Sequence, residues 1–351
     1  MSNVAFCLII STMFTPILFL AYKHLPREKW QFIASIPSGN AKESRLSGRN
    51  VTYYGLFLAT GSILGVSVFF FLLASIGQPV GFLLVMISLL MASSLFGAKV
   101  IARLVENKKN TFTVAGGASV GLYLMPLVIV VYNHFATAMA GREMIPLMPV
   151  MAALAVAYII GESIGRLACI SFGCCYGKPI SQLGPLARKI FSHFNTSFDG
   201  RTRKIVYASG LGGVKVVPIQ AMTSFLYFKC GIVGLYFFLE GDFNTAFGLT
   251  AIFAMGWRVF SESLRADFRG SGRLTTYQWM GLVNIAWCVL VIIAAPETVG
   301  VFSDIAAGAR ALWTPEVIVT FQLLWGCFFL YTGLSRVTGA KMFFYVRKEN
   351  I

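Results

Sequence analysis

The chain reads as an all-α polytopic membrane protein, with about nine transmembrane helices and a small cap segment between the fifth and the sixth. Three observations predict this class. Of 351 residues, 57% are hydrophobic and only 12% charged, a balance foreign to a soluble domain. Apolar runs of about twenty residues recur, the length a helix needs to cross a bilayer core. The seven cysteines are odd in number and four of them (Cys7, Cys230, Cys288 and Cys327) fall inside those runs. They act there as small apolar residues, and no disulfide framework is expected.

The first run, 4–22, lacks a basic leader and a small-residue cleavage site and is followed by basic residues, so it is a span rather than a secretory signal. Residues 23–52 form a polar, basic connection with a turn signal at Pro37-Ser38-Gly39-Asn40. Further spans follow at 54–77, 80–102, 113–138 and 147–168. The longest polar stretch, 169–218, holds a short helix expected at 186–194 and a hairpin expected at 203–217 around Gly210-Leu211-Gly212-Gly213. The last four spans are 219–239, 244–262, 277–295 and 314–335. The domain reading is an N-terminal extra span and linker (1–49), a membrane core (50–296) and a C-terminal extra span with a basic tail (297–351).

Charge is distributed unevenly. Of 29 Lys and Arg, 24 lie on the side of the bundle that carries 23–53, 103–112, 169–218, 263–276 and 336–351, and two, Arg142 and Arg310, on the other. The positive-inside rule makes the rich side cytoplasmic, with the N-terminus outside and the C-terminus inside. The net charge of +15 therefore suits anionic lipid headgroups and implies no nucleic acid.

Chemistry concentrates where polar residues enter the spans. The fifth span ends in Gly161-Glu162-Ser163-Ile164-Gly165-Arg166 and runs into Leu167-Ala168-Cys169-Ile170-Ser171-Phe172-Gly173-Cys174-Cys175-Tyr176-Gly177. A guanidinium at this depth is costly and marks a site for an anionic group. Glu162 and Arg166 share a helix face, so the plain alternative is a self-neutralising ion pair. The seventh span ends with Arg258, Glu262 and Arg265 at i, i+4 and i+7, one stripe of a helix. Tyr53 and Tyr54 open the second span, where an interfacial aromatic belt is the simpler reading. Gly116 and Gly117 open the fourth, where small residues pack helices or present amides to an anion. Gln278 opens the eighth. All of these lie on the basic face. The three histidines have no metal-ligand spacing, His134 falling on the far face, and the adjacent pair Cys174-Cys175 lacks the spacing of a zinc site. No metal or cofactor is expected.

In order and spacing these motifs resemble the prolipoprotein diacylglyceryl transferase family. That family has a Tyr-Gly motif at its first span, a His-Gly-Gly motif, a G-R-x-G-N-x-x-N-G-E-x-x-G signature, a Pro-x-Gln element, R-x-x-x-E-x-x-R and a Gln opening its last span. The counterparts here are Tyr54-Gly55, Ala115-Gly116-Gly117, Gly165 to Gly177, Pro218-Ile219-Gln220, Arg258/Glu262/Arg265 and Gln278, within about 50–295. Gly165, Arg166, Gly173 and Gly177 agree with the signature. Ala168, Cys169, Phe172 and Cys174 replace its Gly, Asn, Asn and Glu, and Ala115 replaces the histidine.

The resemblance implies a multi-pass bacterial inner-membrane transferase that takes a diacylglyceryl group from an anionic glycerophospholipid such as phosphatidylglycerol. Glycerol phosphate departs, and the acceptor is not named by the sequence. It implies leaving-phosphate stabilisation by Arg166 and Arg258, with Glu262 orienting Arg258 and Arg265 or acting as base. Tyr53, Tyr54, Gly116, Gly117, Glu162, Cys169, Gly173, Cys174, Gly177, Gln220, Arg265 and Gln278 would line the lipid site. Family members work on exported proteins, so the charge count makes this chain an inverted relative. The alternative is a non-catalytic lipid or small-solute transporter, or a lipid-binding scaffold, derived from the same fold.

Overall fold

In a medium without water every backbone amide must be paired within its own segment, and long apolar runs satisfy that as helices. In the computed structural model, which describes residues 2–38, 47–106, 114–138, 144–267, 274–296, 298, 300–336 and 349, the long helices follow the apolar runs. They are α1 (Asn3–His24), α2 (Tyr53–Ser75), α3 (Val80–Glu106), α4 (Val114–Ala138) and α5 (Leu147–Phe172). The cap carries α6 (Pro185–His193) and α7 (Lys204–Ser209). Then come α8 (Ile219–Leu239), α9 (Phe243–Glu262), α10 (Thr276–Ala294), the short α11 (Ile305–Leu312) and α12 (Pro315–Gly333).

Eight of these helices are long and apolar enough to cross a membrane: α1, α2, α3, α4, α5, α8, α10 and α12. The chain is an all-α, multi-pass integral membrane protein. The ninth expected span, α9, forms as a helix of 20 residues but is less apolar, because Asn244, Thr245, Thr250, Arg258, Ser261 and Glu262 interrupt it. It packs against α5, α8 and α10, so its polar face is turned to protein.

Close backbone contact joins α2 to α5, the most extensively packed pair in the bundle. Gly61 and Gly65 on α2 meet Gly161 and Gly165 on α5. A Cβ on Gly161 would lie 2.8 Å from the Gly61 carbonyl oxygen, and one on Gly61 would lie 2.6 Å from the Gly165 nitrogen. This is the small-xxx-small geometry by which helices associate in lipid. Helix α1 docks on α8, where the half-buried ammonium of Lys229 donates to Ser11 Oγ and Thr15 Oγ1, both at 2.8 Å.

Two expectations are corrected. The connection after the first span is not simply a linker: β1 (Phe32–Ser38) pairs antiparallel with β2 (Ser47–Thr52), and β2 with β3 (Leu334–Arg336). The strand after α12 thus closes a small sheet with the segment before α2, and Thr52 Oγ1 donates to the Gly333 carbonyl at 3.0 Å. No hairpin forms at 203–217 either. Residues 204–209 coil into α7, and Val216 bridges Pro179 and Thr196 instead. The expected helix at 186–194 forms as α6. Arg142, Lys108, Lys109, Arg269, Arg273 and the tail from 337 to 348, all used in the charge count, lie outside the described residues.

Candidate active site

Helix α5 extends four residues beyond the expected span and stops at Gly173, whose φ of 71° lies in the left-handed region that glycine adopts without strain. The amides of Gly173 and Cys174 both bond the Cys169 carbonyl, at 2.9 and 3.1 Å. This places Cys169 inside the last helical turn and folds Cys174 and Cys175 back over it. The chain then runs to Gly177, which bridges Arg265 at the end of α9, with Lys178 N donating to Leu264 O at 2.8 Å. A Cβ on Gly177 would lie 2.3 Å from the Val217 carbonyl, so the tether closes only around a glycine. The ends of α5 and α9 are thereby held together.

Between them sits a cluster of buried polar groups. Arg166 pairs with Glu162 at 2.5 Å, and its Nε is buried with no hydrogen-bond partner among the described residues. Arg258 lies within electrostatic reach of Tyr158, Tyr227, Arg166 and Glu162, and makes no ion pair or hydrogen bond through its guanidinium among the described residues. Two cations from separate helices thus face one shared environment with a single carboxylate beside them. Tyr158, whose hydroxyl is buried without a hydrogen-bond partner among the described residues, is the point where they meet. Tyr227 donates to the Ala254 carbonyl at 2.9 Å and stands in the same group.

Directly beneath opens an apolar cavity of about 240 Å³ bounded by α2, α3, α4, α5, α9 and α12. Glu162, Tyr158 and Gly165 border it at the polar end; Leu58, Val66, Phe69, Ile87, Met91, Leu154 and Phe328 line its length. A Cβ on Gly165 would meet nothing within 4 Å, so this glycine leaves the mouth open.

The other residues singled out from the sequence fall into place around this cluster. Tyr54 stacks edge-on to Phe172, with ring centres 5.6 Å apart, and lies within electrostatic reach of Glu162 and of Cys169, Cys174 and Cys175. Tyr53 instead packs on Trp30 and Phe57. Gly117 of α4 borders the cavity but packs against α3: a Cβ there would stand 3.1 Å from the Ser94 carbonyl, so close helix packing is what this small residue serves. Gly116 is buried beside it. Gln220 donates to the Cys174 carbonyl at 2.8 Å, fixing the turn. The amide of Gln278 is used twice, accepting from Thr275 N at 2.9 Å and donating to Val259 O at 3.1 Å, which pins α10 to α9.

Glu262 does not hold Arg258. It lies 3.7 Å from Arg265, and Arg265 forms a two-pronged pair with Asp267 at 2.8 and 2.6 Å. Cys174, just outside the span, has its thiol held well above its ordinary pKa by hydrogen bonds with Cys169 and Cys175 and by burial. It is a neutral thiol at physiological pH.

Two features escaped the reading of the sequence. Tyr158, Glu162 and Arg166 are spaced by four along one helix face, a signal that was available. Arg203 was not legible. Fully buried in the cap, it donates to the carbonyls of Asp199, Ile170, Ser171, Leu25 and Arg27, using all five N–H groups. It thereby caps the C-terminal ends of α1 and α5 together, where the helix dipoles favour a cation.

The two arginines of this cluster thus stand on α5 and α9, helices that border an apolar cavity. The sequence model of the prolipoprotein diacylglyceryl transferase family matches residues 44–294. The chain belongs to the prolipoprotein diacylglyceryl transferase family. No curated protein matches it. The matched region contains the polar cluster, the cap and the cavity helices other than α12; α1 lies before it and α12 after it. The family is one of membrane transferases of lipoprotein biosynthesis, and the eight apolar helices fit that setting. Against the family's pattern, three of the substituted signature positions, Ala168, Cys169 and Cys174, lie on the turn that closes this site.

Proposed function

We propose that this protein transfers a diacylglyceryl group from an anionic glycerophospholipid of the phosphatidylglycerol type. The observation that carries the reading is Arg258, a cation with no ion-pair partner among the described residues, within electrostatic reach of the Glu162–Arg166 pair, whose Glu162 borders the polar end of an apolar cavity. A lipid has this shape: an anionic phosphate at one end and an apolar chain at the other. The cavity follows α5 from Leu154 to Gly165, roughly 16 Å at 1.5 Å per residue, which suits an acyl chain.

In the transfer, the acceptor's nucleophile forms a bond to the glycerol carbon as the bond from that carbon to the phosphate oxygen breaks. The electron pair leaves with glycerol phosphate. The nucleophile's proton passes to a base. Arg258 and Arg166 stabilise the charge that builds on the leaving phosphate, in surroundings where fixed cations act strongly. Glu162 orients Arg166, and the partnerless hydroxyl of Tyr158 is free to donate to the same group. Tyr54 and Gly117 border the headgroup and chain, while Gly173, Gly177, Gln220, Gln278, Glu262 and Arg265 hold the walls. Tyr53, packed on Trp30, contributes to the same wall from outside.

The protein would reside in a bacterial inner membrane with its C-terminus cytoplasmic, as the excess of Lys and Arg on the cap face favours. A second reading, a lipid-binding or lipid-moving protein without turnover, is favoured by Ala115 standing where the family has histidine. Purified protein in nanodiscs containing headgroup-labelled phosphatidylglycerol separates them. Release of glycerol phosphate, abolished by Arg166→Ala and by Arg258→Ala at normal expression, supports transfer. Retained release in both variants would remove the phosphate-binding role, and tight lipid binding without release would favour the second reading.

A further inference from the structure

The turn that closes α5 does more than cap a helix. Cys169, Cys174 and Cys175 have sulfur atoms all within 4.8 Å of one another, although Cys169 is five residues away in sequence. Cys175 is the one non-glycine residue with positive φ among the described residues, at 56°. A glycine would adopt that conformation freely; a cysteine held there directs a third sulfur onto the other two. Arg166 lies within electrostatic reach of Cys169 and Cys175, and Arg265 of Cys175, while Cys174 stays a neutral thiol whose proton leaves only as a metal binds. Cys174 is buried, whereas Cys169 and Cys175 are partly exposed, which leaves a way in for a small ion.

We propose that Cys169, Cys174 and Cys175 form a three-sulfur binding site for a soft, thiophilic d¹⁰ metal ion of low coordination number, with Cu(I) as the physiological representative. The donor set decides the class. Thiolates select soft ions, and among the described residues no histidine or carboxylate joins the group. A structural zinc site would want a fourth protein ligand, which this cluster does not supply. Three sulfurs around one ion at a metal–sulfur length of about 2.3 Å stand about 4 Å apart, so side-chain rotation of a few tenths of an ångström closes the site. On binding, each sulfur forms a bond to the ion and releases its proton to solvent; no electron moves.

The test uses the full-length protein in detergent, reduced and free of oxygen, titrated with Cu(I) against a chromogenic Cu(I) chelator. One ion per chain is expected, with X-ray absorption reporting sulfur neighbours only. Cys169→Ser and Cys174→Ser should each weaken binding by roughly 100-fold or more, with unchanged elution from a sizing column, while Cys230→Ser binds as the wild type does. If a serine variant does not fold, wild-type protein alkylated at the two accessible thiols replaces it and should lose the ion. Absence of binding at competitive chelator concentrations, nitrogen or oxygen ligation in the absorption spectrum, or full stoichiometry in the Cys169→Ser/Cys174→Ser double variant would overturn the site. None of these readouts depends on lipid transfer.

Discussion

At the scale of single residues, the site rests on an asymmetry between its two arginines. Arg166 has a carboxylate partner 2.5 Å away and Arg258 has no ion-pair partner among the described residues, so their replacement should differ in kind. Arg258→Ala removes the cation proposed to meet the lipid phosphate and should lower turnover by about 10²–10³-fold, the range for losing one fixed charge-stabilising group. Arg258→Lys keeps the charge without the planar fork and should recover part of that loss. Steady-state release of glycerol phosphate measures both; equal activity in all three proteins would contradict the assignment. Tyr158→Phe separates chemistry from packing. It deletes a buried hydroxyl that has no hydrogen-bond partner among the described residues, so thermal stability should hold or rise while turnover falls about tenfold. A loss of stability with unchanged turnover would mean that this hydroxyl serves the fold.

At the scale of elements, helix contacts follow from a few small residues and buried cations. Gly161→Leu drives a side chain into the Gly61 backbone and should abolish a folded, monodisperse species on size exclusion, whereas Gly81→Ala, with open space around it, should not. A well-behaved Gly161→Leu protein would show that α2 and α5 do not meet as described. Arg203→Ala leaves four carbonyls at two helix ends, and that of Asp199 in the cap, without this donor and should cost on the order of 3 kcal/mol of stability. Thermal unfolding in detergent, with the exposed Arg201→Ala as control, reads this out. Much of this scale was legible: a helix in lipid announces itself by composition, and the long helices stand within a few residues of the apolar runs. Three things were not. Strand β3 pairs with β2 across nearly 300 residues, which local pattern cannot reveal. Arg203 looks like any cap cation until the two helix ends it joins are known. Cys169 belonged in the loop by hydropathy, yet the helix runs on to Phe172 and carries it back to Cys174 and Cys175.

At the scale of the whole molecule, the question is how a bundle presents a charged site to lipid. The ends of α5 and α9 and the start of α2 meet at one face under the cap, as the alternation of spans demanded, and the apolar cavity descends from that face into the bundle. Chain order and spacing made this convergence readable; which side chains turn inward was not, because Tyr53 and Tyr54 differ only by one step of helix rotation. The charge imbalance favours a cytoplasmic cap face, and on that reading reporter fusions after Ile351 and within 140–146 should report inside and outside respectively. The reverse pattern would return the chain to the orientation of its family. The most direct measurement is the position of a bound donor lipid, from a cryo-electron microscopy structure in phosphatidylglycerol nanodiscs. Phosphate density in contact with both Arg166 and Arg258, with a chain filling the cavity beside Gly165, is the predicted result. An empty cavity, with lipid phosphate found only on the outer surface of the bundle, would contradict it.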